Sequence, residues 1–212
     1  MTKNEKQVNA LITAYAEEAE ATGWFGPEVV FGLFYTYVQT GQSMLDIGIG
    51  TGLGSDLFRK TGLKIYGMDH SPQMIEACRS KGISALRLHD LSKQPYPYDS
   101  ESINHAVCTG VMNFFKDLSP MFKETTRIIQ TGGFFGFVVG DRGDNETCEL
   151  IVGEEHTHSS ESVTMYLHSP AEIDQWMSNN KLVLVRSLAF TVYLDRKQTK
   201  NMQARAYLAK KI

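Results

Sequence analysis

SMLDIGIGTGLG, at residues 43–54, is the stretch that decides the fold of this chain. Its first part, Ser43 to Ile47, is short and mostly apolar, which is typical of a buried strand. Leu53, Leu57 and Phe58 then recur at helical spacing and predict that a helix begins near Leu53. The glycines therefore lie on a strand-to-helix turn, where the absent Cβ atoms let a ligand approach the backbone closely. The N-terminus of the following helix offers it free N–H groups.

Two kinds of nucleotide site fit this turn poorly. The dinucleotide fingerprint of a nicotinamide-dependent reductase needs a glycine where this chain has Leu53. A phosphate-binding loop needs Gly-Lys-Ser or Gly-Lys-Thr, and the chain contains neither. What remains is Asp-x-Gly-x-Gly-x-Gly, from Asp46 to Gly52, which is also compatible with an ordinary glycine-rich turn.

A second acid follows at the distance that a ribose site requires. Leu63 to Met68 predicts the second strand, and Asp69 stands at its carboxyl end, 21 positions after Gly48 (69 − 48). A carboxylate there can accept two hydrogen bonds from ribose hydroxyls. Ser71 and Pro72 predict the N-cap and first residue of the next helix.

These motifs resemble motif I and the acid that follows it in the class I S-adenosylmethionine-dependent methyltransferases. The resemblance implies that the turn bends around the methionyl part of the cofactor and that the post-motif acid binds its ribose. The residue after that acid, and an apolar residue one turn later, would flank the adenine. Carried over residue by residue, these roles fall on Asp46, Gly48, Gly50, Gly52, Asp69, His70 and Met74.

The third strand, Ser84 to Leu88, leads into a region that resembles the family's motif II. The resemblance implies that Asp90 accepts a hydrogen bond from the adenine amino group and that the N–H of Leu91 reaches a ring nitrogen. Strand four is predicted over Ser102 to Thr109, which brings Thr109 to the side of the reactive methyl group. The Asp/Asn-Pro-Pro-Tyr motif of some amino methyltransferases is absent there, and Asn113 is left to orient a substrate or cap a helix.

Helices are predicted before the first strand and after the fourth. Residues 5–21 are amphipathic, Pro27 can open a helix over 28–37, and a third helix covers 118–129. Similar methyltransferases often lay N-terminal helices over the cofactor cleft. Tyr15, Trp24 and Phe25 are therefore candidates for cofactor or substrate contact, and packing of the helices onto the core is the alternative.

The chain becomes polar after the buried strand Phe134 to Val139. Residues 140–168 are expected to form a substrate-facing flap. Within it, His156 and His158 flank one residue and, with Glu154, can form a metal site or supply a general base; a solvated loop is the plainer reading. Asp141 is a further candidate base. A helix over 171–178 and strands over 182–193 and 203–209 are expected to close the fold as an antiparallel hairpin.

Composition limits the class of protein. The 212 residues are 42% hydrophobic and 21% charged, and the net charge of −3 disfavours a large nucleic-acid partner. Three widely spaced cysteines form neither a disulfide framework nor a metal-ligand pattern and suit a reducing, cytoplasmic compartment. The polar N-terminus and the absence of a long apolar run predict neither a signal peptide nor a membrane span.

We therefore expect an α/β protein with a Rossmann-like, seven-stranded, mainly parallel sheet, helices on both faces and an N-terminal helical cap. One domain is expected over 1–212, with a cap at 1–41, a cofactor-binding core at 43–139, the flap at 140–168, and a closing helix and hairpin at 169–212. The expected function is S-adenosylmethionine-dependent methyl transfer to a small-molecule acceptor, without a metal. A non-catalytic binder of the cofactor or its product, and a nicotinamide-dependent reductase, are the alternatives.

Overall fold

A computed structural model describes residues 3–143, 145, 147–152, 163–195 and 197–212, without the side chains of residues 3–11 and 15. The described helices are α1 (Lys3–Thr22), α2 (Gly26–Phe34), α3 (Asp56–Lys60), α4 (Pro72–Ser80), α5 (Ser119–Ile128) and α6 (Pro170–Asn179). The described strands are β1 (Ser43–Ile47), β2 (Lys64–Asp69), β3 (Ala85–Leu88), β4 (His105–Cys108), β5 (Phe134–Asp141), β6 (Glu149–Val152), β7 (Val163–His168), β8 (Leu182–Tyr193) and β9 (Asn201–Lys211). None of the described helices combines the length and the apolar character that crossing a membrane requires.

The sheet has the mainly parallel, doubly wound topology that the sequence predicts. Strands β3, β2, β1, β4 and β5 lie side by side and run parallel. Strand β9 lies antiparallel beside β5, and β8 lies antiparallel beside β9. These are the seven predicted strands with one reversed strand, and the carboxyl ends of the parallel strands share one edge of the sheet.

The sheet differs from the prediction by two further strands. Strand β7 pairs with the end of β5 through Gly140↔Leu167 and Asp141↔His168, and β6 pairs antiparallel with β7. The prediction of seven strands is therefore wrong for the whole sheet, which has nine strands among the described residues. Strand β6 was missed because its four residues lie inside a polar stretch, where so short an apolar alternation gives no distinct signal.

Apolar side chains cover both faces of the sheet, as expected for a central parallel sheet. Leu45 and Ile47 of β1 face a cluster that includes residues of α5 and α6. Met44 faces a second cluster, to which α2, α3 and α4 contribute. Helix α2 is part of this core, because the Phe34 ring occupies the space that a side chain at Gly136 of β5 would need. The prediction of helices on both faces is confirmed.

Two element boundaries differ from the prediction. Strand β4 begins at His105 rather than Ser102, because the Asn104 side chain accepts hydrogen bonds from the N–H and hydroxyl of Ser43, both at 2.9 Å, before regular pairing starts. Helix α2 spans Gly26–Phe34 rather than 28–37, and a turn follows it.

His105, the first residue of β4, is held as a neutral imidazole. Its residue is 3% exposed, its Nδ1 accepts from the N–H of Phe134 at 3.2 Å, and its Nε2 lies 3.0 Å from Gln42 Oε1. The backbone donor requires an unprotonated Nδ1, so the proton resides on Nε2. Burial lowers the pKa of His105 to about 4, from an ordinary value of 6.5.

This histidine is expected to weaken the fold in acid. Between pH 6.5 and 4, His105 is protonated in the unfolded chain but stays neutral in the folded protein. The free energy of unfolding therefore falls as the pH falls, by up to roughly 3 kcal/mol. Chemical denaturation of wild type and His105→Gln at pH 7 and 5 measures this, and the variant should lose less stability between the two pH values. His70→Gln, whose side chain is 80% exposed in wild type, should match the wild-type loss, and an equal loss in all three proteins would contradict the assignment.

Candidate functional site

The glycine turn begins directly after β1 and is fixed to the end of β2. The N–H groups of Gly48 and Ile49 both donate to the carbonyl oxygen of Met68, at 2.9 and 3.0 Å. Gly48 has a φ of +70°, and a Cβ there would lie 2.7 Å from a methyl carbon of Val111. Gly50 also has a positive φ, +53°, but no heavy atom lies within 4 Å of the position its Cβ would take. The turn is therefore packed tightly on one side and open on the other.

The helix after the turn begins later than the sequence predicts. Helix α3 starts at Asp56, not near Leu53, and Gly52 has a φ of +85° that no α-helix accommodates. Gly54 packs so closely that a Cβ would lie 2.5 Å from Thr109 Oγ1 and 3.3 Å from Asp46 Oδ2. The loop thus extends through Ser55, and Gly54 joins the site as a residue that the spacing of the first three glycines did not indicate.

Asp69 connects the end of β2 to the glycine turn. Its residue is 7% exposed, its Oδ2 accepts from the N–H of Gly50 at 2.9 Å, and its Oδ1 accepts from the N–H of Ser71 at 2.9 Å. Each carboxylate oxygen retains a lone pair for a ligand hydroxyl. The predicted cap of α4 is confirmed, because the Ser71 hydroxyl accepts from the N–H of Met74. The exposed His70 places its Nδ1 3.5 Å from Asp69 Oδ1.

Asp46 is buried beneath the turn without a counter-charge in the described part of the chain. Its residue is 2% exposed, and its Oδ2 has no hydrogen-bond partner there; the Oγ of the fully buried Ser55 has none either. Burial raises the pKa of Asp46 to about 7, the Ser55 hydroxyl opposes this, and the carboxylates of Asp69 and Asp56 add to it. A polar group that is buried and unpaired costs stability unless a ligand completes it.

The motif II region is held mostly by its own contacts. Asp90 Oδ1 accepts from the N–H and hydroxyl of Ser92, at 3.0 and 2.7 Å, and these bonds hold the pKa of Asp90 below its usual range. Leu91 is buried, and its carbonyl accepts from the Tyr96 hydroxyl at 3.2 Å. The Tyr98 hydroxyl donates to the carbonyl of Gly67 at 2.8 Å. Tyr96 and Tyr98 therefore serve loop packing.

Beyond β4, the polar groups at the carboxyl edge of the sheet are largely engaged with one another. Thr109 is buried beside the turn, while Gly110 is exposed. Asn113 Oδ1 accepts from the N–H of Gly140 at 2.7 Å, which makes it a link between the 3-10 helix Met112–Phe114 and β5. Asp141 Oδ2 accepts from Arg205 Nε at 2.7 Å, and its Oδ1 accepts from the N–H of Gly143. This ion pair makes Asp141 a poor candidate for a general base.

The remaining candidates separate into three groups. The Trp24 ring packs against Phe190 of β8, with centroids 6.4 Å apart, and covers Gly26; Phe25 is 57% exposed. Tyr15 lies in α1, but its side chain is outside the described residues, as are Glu154, His156 and His158. Among the residues that are described, no cluster of three or more His, Cys, Asp or Glu side chains is arranged to hold a metal ion.

The sequence missed a cysteine that supports the turn. The Sγ of Cys78, on α4, lies 3.1 Å from the carbonyl oxygen of Gly50 and donates to it. The thiol is buried, and burial raises the pKa of Cys78 to about 12. The site thus comprises the glycine turn, Asp46 below it, Asp69 at its edge and Thr109 opposite.

Comparisons with known proteins agree with this fold. Residues 45–137 match the family described as "Methyltransferase domain". A ubiquinone biosynthesis O-methyltransferase of Coxiella burnetii is 24% identical over 153 residues, which cover 68% of this chain and 65% of that protein's length. The chain therefore spans less than two thirds of that relative.

Solved structures share the fold at low sequence identity. A SAM-dependent methyltransferase from Methanosarcina mazei is similar with a TM-score of 0.71 and 16% identity, covering 85% of this chain and 97% of that one. Geranyl diphosphate C-methyltransferase from Streptomyces coelicolor A3(2), crystallised with S-adenosyl-L-homocysteine, has a TM-score of 0.64 and 16% identity, covering 87% and 80%. Together with the family match over residues 45–137, these structures show that the chain has the fold of the class I S-adenosylmethionine-dependent methyltransferases.

Proposed function

We propose that this chain transfers a methyl group from S-adenosylmethionine to a small-molecule acceptor. The observation that carries the proposal is the hydrogen bond between Asp69 and the N–H of Gly50, which joins a ribose-binding carboxylate to the open side of the glycine turn. The orphaned oxygen of buried Asp46 fits a cofactor that is cationic and carries no phosphate, since a phosphate would be repelled there.

The proposed cofactor contacts follow the fold. Asp69 would bind the ribose hydroxyls, and the glycine turn would hold the methionyl part above Asp46. His70 and Met74 would flank the adenine, with Asp90 and Leu91 at its edge, although the Asp90 carboxylate must also serve Ser92. The full set that we propose is Asp46, Gly48, Gly50, Gly52, Asp69, His70, Met74, Asp90, Leu91 and Thr109, with Tyr15 and Trp24 as contacts from the N-terminal helices.

The chemistry requires mainly positioning. When bound, the cofactor supplies a methyl group on a positively charged sulfonium, from which a neutral thioether leaves readily as the acceptor attacks in line. The chain contributes by orienting the two reactants and excluding water, which can account for much of the barrier reduction. A general base is needed only where the acceptor must lose a proton. No residue is assigned to that role, because Asp141 is paired with Arg205 and the candidates His156 and His158 lie outside the described residues.

Three observations support a small acceptor. The matched Coxiella relative is named as an O-methyltransferase of ubiquinone biosynthesis, the net charge is −3, and the hairpin β6–β7 joins β5 at the carboxyl edge of the sheet. We propose that residues 140–168 form the acceptor-facing flap of a single domain over 1–212. The free thiols of Cys78, Cys108 and Cys148 support a cytoplasmic location.

Asp69→Ala is expected to weaken S-adenosylmethionine binding about fiftyfold, because two charge-assisted hydrogen bonds to the ribose are lost. Calorimetric titration of wild type and variant with S-adenosylmethionine and S-adenosylhomocysteine measures the change. An analogue of S-adenosylhomocysteine that lacks both ribose hydroxyls should bind the wild-type protein as weakly as S-adenosylhomocysteine itself binds the variant. The variant should bind S-adenosylhomocysteine and this analogue with equal affinity.

The controls separate the alternatives. Glu76→Ala removes an exposed acid that is paired with Arg79 at 3.5 Å and should leave binding unchanged. NADH should not bind, whereas a nicotinamide-dependent reductase would bind it. A non-catalytic binder would hold S-adenosylmethionine yet form no S-adenosylhomocysteine with any acceptor of a small-molecule panel that includes phenols and quinols. Failure of wild type to bind either sulfur nucleoside would overturn the proposed function.

A further inference from the structure

The buried acid Asp46 lies beside other oxygen atoms, and no ion pair joins it to any of the residues that the structure describes. Its Oδ2 and the hydroxyl of Ser55 are both buried without a hydrogen-bond partner among the described residues. Thr109 Oγ1 and Asp46 Oδ2 both border the position of the missing Gly54 side chain. Nothing of the described chain therefore neutralises this carboxyl group, although two neighbouring groups can serve it as hydroxyl donors.

The carboxylates around Asp46 favour its neutral form. Asp69 acts on it from the end of β2 and Asp56 from α3, and both raise its pKa, while the thiols of Cys78 on α4 and Cys108 on β4 are neutral neighbours whose own pKa values Asp46 raises. The side chains of Lys81 and Arg59 lie 3.6 and 3.5 Å from Asp56 and pair with that acid. A ligand that carries a positive charge would therefore stabilise ionised Asp46, since the described part of the protein supplies no such charge to it.

We propose that Asp46 distinguishes the methyl donor from the demethylated product by exchanging a proton. The inference rests on the proposed function. The donor carries one more positive charge than the thioether product, so Asp46 is ionised when the donor is bound and neutral when the product is bound. Donor binding releases the carboxyl proton to solvent, and the carboxyl recovers a proton from solvent in the product complex. Asp46 thereby acts as a specificity-determining residue that favours the donor when ionised.

The burial of Asp46 places this exchange in an accessible pH range. Because its pKa is raised to about 7 without ligand, about half of the molecules must release a proton when the donor binds at pH 7. At pH 6 about nine tenths must do so, and donor affinity should be about tenfold weaker than at pH 8. Product affinity should change in the opposite direction, being about tenfold tighter at pH 6 than at pH 8, because a product complex with neutral Asp46 must take up a proton at the higher pH.

Calorimetry in buffers of different ionisation enthalpy tests this, because it counts the protons released on binding. Wild type is titrated with S-adenosylmethionine and with S-adenosylhomocysteine at pH 6, 7 and 8. Asp46→Asn is the matched variant: it should bind the donor with the affinity of wild type at low pH, release no proton, and bind the product normally. Subtracting its titrations removes the ionisation of the ligands' own groups. Glu76→Gln, which changes an exposed acid on α4 that lies 3.5 Å from Arg79, should keep the full linkage.

A measurement on wild type alone keeps the test independent of how the variant folds. The carbon-13 chemical shift of the Asp46 carboxyl group should titrate with a midpoint near pH 7 in the free protein. With donor bound, the midpoint should fall well below pH 6. Donor binding that is equally tight at pH 6 and 8, with no proton released, would overturn the exchange and leave the proposed methyl transfer standing. Failure to bind the donor at any pH would overturn both.

Discussion

Replacing Glu124 with alanine is expected to lower the free energy of unfolding by about 3 kcal/mol. Glu124, on α5, is 4% exposed and accepts hydrogen bonds from the Tyr96 N–H at 2.7 Å and from Arg127 Nη2 at 2.7 Å. Arg127 in turn donates to the carbonyls of Tyr96 and Tyr98, at 3.0 and 2.8 Å. Removing the carboxylate leaves the Tyr96 N–H and the partly buried Arg127 guanidinium without their acceptor. Leaving such groups buried and unpaired is what makes the loss of one partner of a buried ion pair so destabilising.

Urea denaturation of wild type and variant measures the effect. The matched control is Glu76→Ala, whose side chain is 45% exposed and lies 3.5 Å from Arg79 at the same i, i+3 spacing; it should change stability by less than about 0.5 kcal/mol. Equal losses in the two variants would contradict the role of burial. Burial pushes the pKa of Glu124 up, but the bonds from Arg127 and Tyr96 outweigh it, so the pKa lies below its ordinary 4.5. The stabilisation is therefore complete above pH 4.5 and is lost as the pH falls further.

Gly48→Ala and Gly50→Ala are expected to fail in different ways, although both glycines belong to one motif. Gly48→Ala should cost about 3 kcal/mol of stability, because a left-handed residue costs about 1–2 kcal/mol and the new Cβ would lie 2.7 Å from Val111 Cγ2. Gly50→Ala meets no atom within 4 Å and should cost only about 1 kcal/mol, for its conformation. Its Cβ instead enters the space proposed for the cofactor, so S-adenosylmethionine binding should fall by at least tenfold.

Thermal unfolding and calorimetric titration of the two variants separate these effects. Adding Val111→Ala to Gly48→Ala removes the methyl groups that crowd the new Cβ, and the pair should recover part of the lost stability. The same Val111→Ala change should bring no recovery to Gly50→Ala. Equal destabilisation by both glycine variants, or the absence of any rescue, would show that the close approach of Val111 does not explain the glycine at position 48.

Sequence patterns predicted the parts of this fold that depend on local rules. The strand, glycine turn and helix around Gly48, and the Ser71 cap of α4, follow from spacing and backbone geometry, and the fold follows from motifs in register. The N-terminal helices and the closing hairpin follow from amphipathic or apolar runs long enough to be distinctive.

What the sequence did not predict depends on contacts between distant residues. The length of the loop before α3 is set by Gly54 packing on Asp46 and Thr109, and the Cys78 thiol reaches a carbonyl 28 positions away. Asn113 was open to two interpretations until its bond to Gly140 was visible. Composition alone cannot reveal such pairings, because each residue type involved is common in loops and helices that have no such contact.

The narrow attachment of the β6–β7 hairpin bears on how this protein could diversify. The hairpin meets β5 through two residue pairs, while seven pairs between β5 and β9 close the central sheet independently of it. Its loop length and outward residues can therefore change by mutation or exchange with little effect on the donor side, where the glycine turn, Asp46 and Asp69 reside. Under the proposed function, descendants of one ancestral chain could acquire new acceptors by remodelling this appendage while inheriting the same methyl donor.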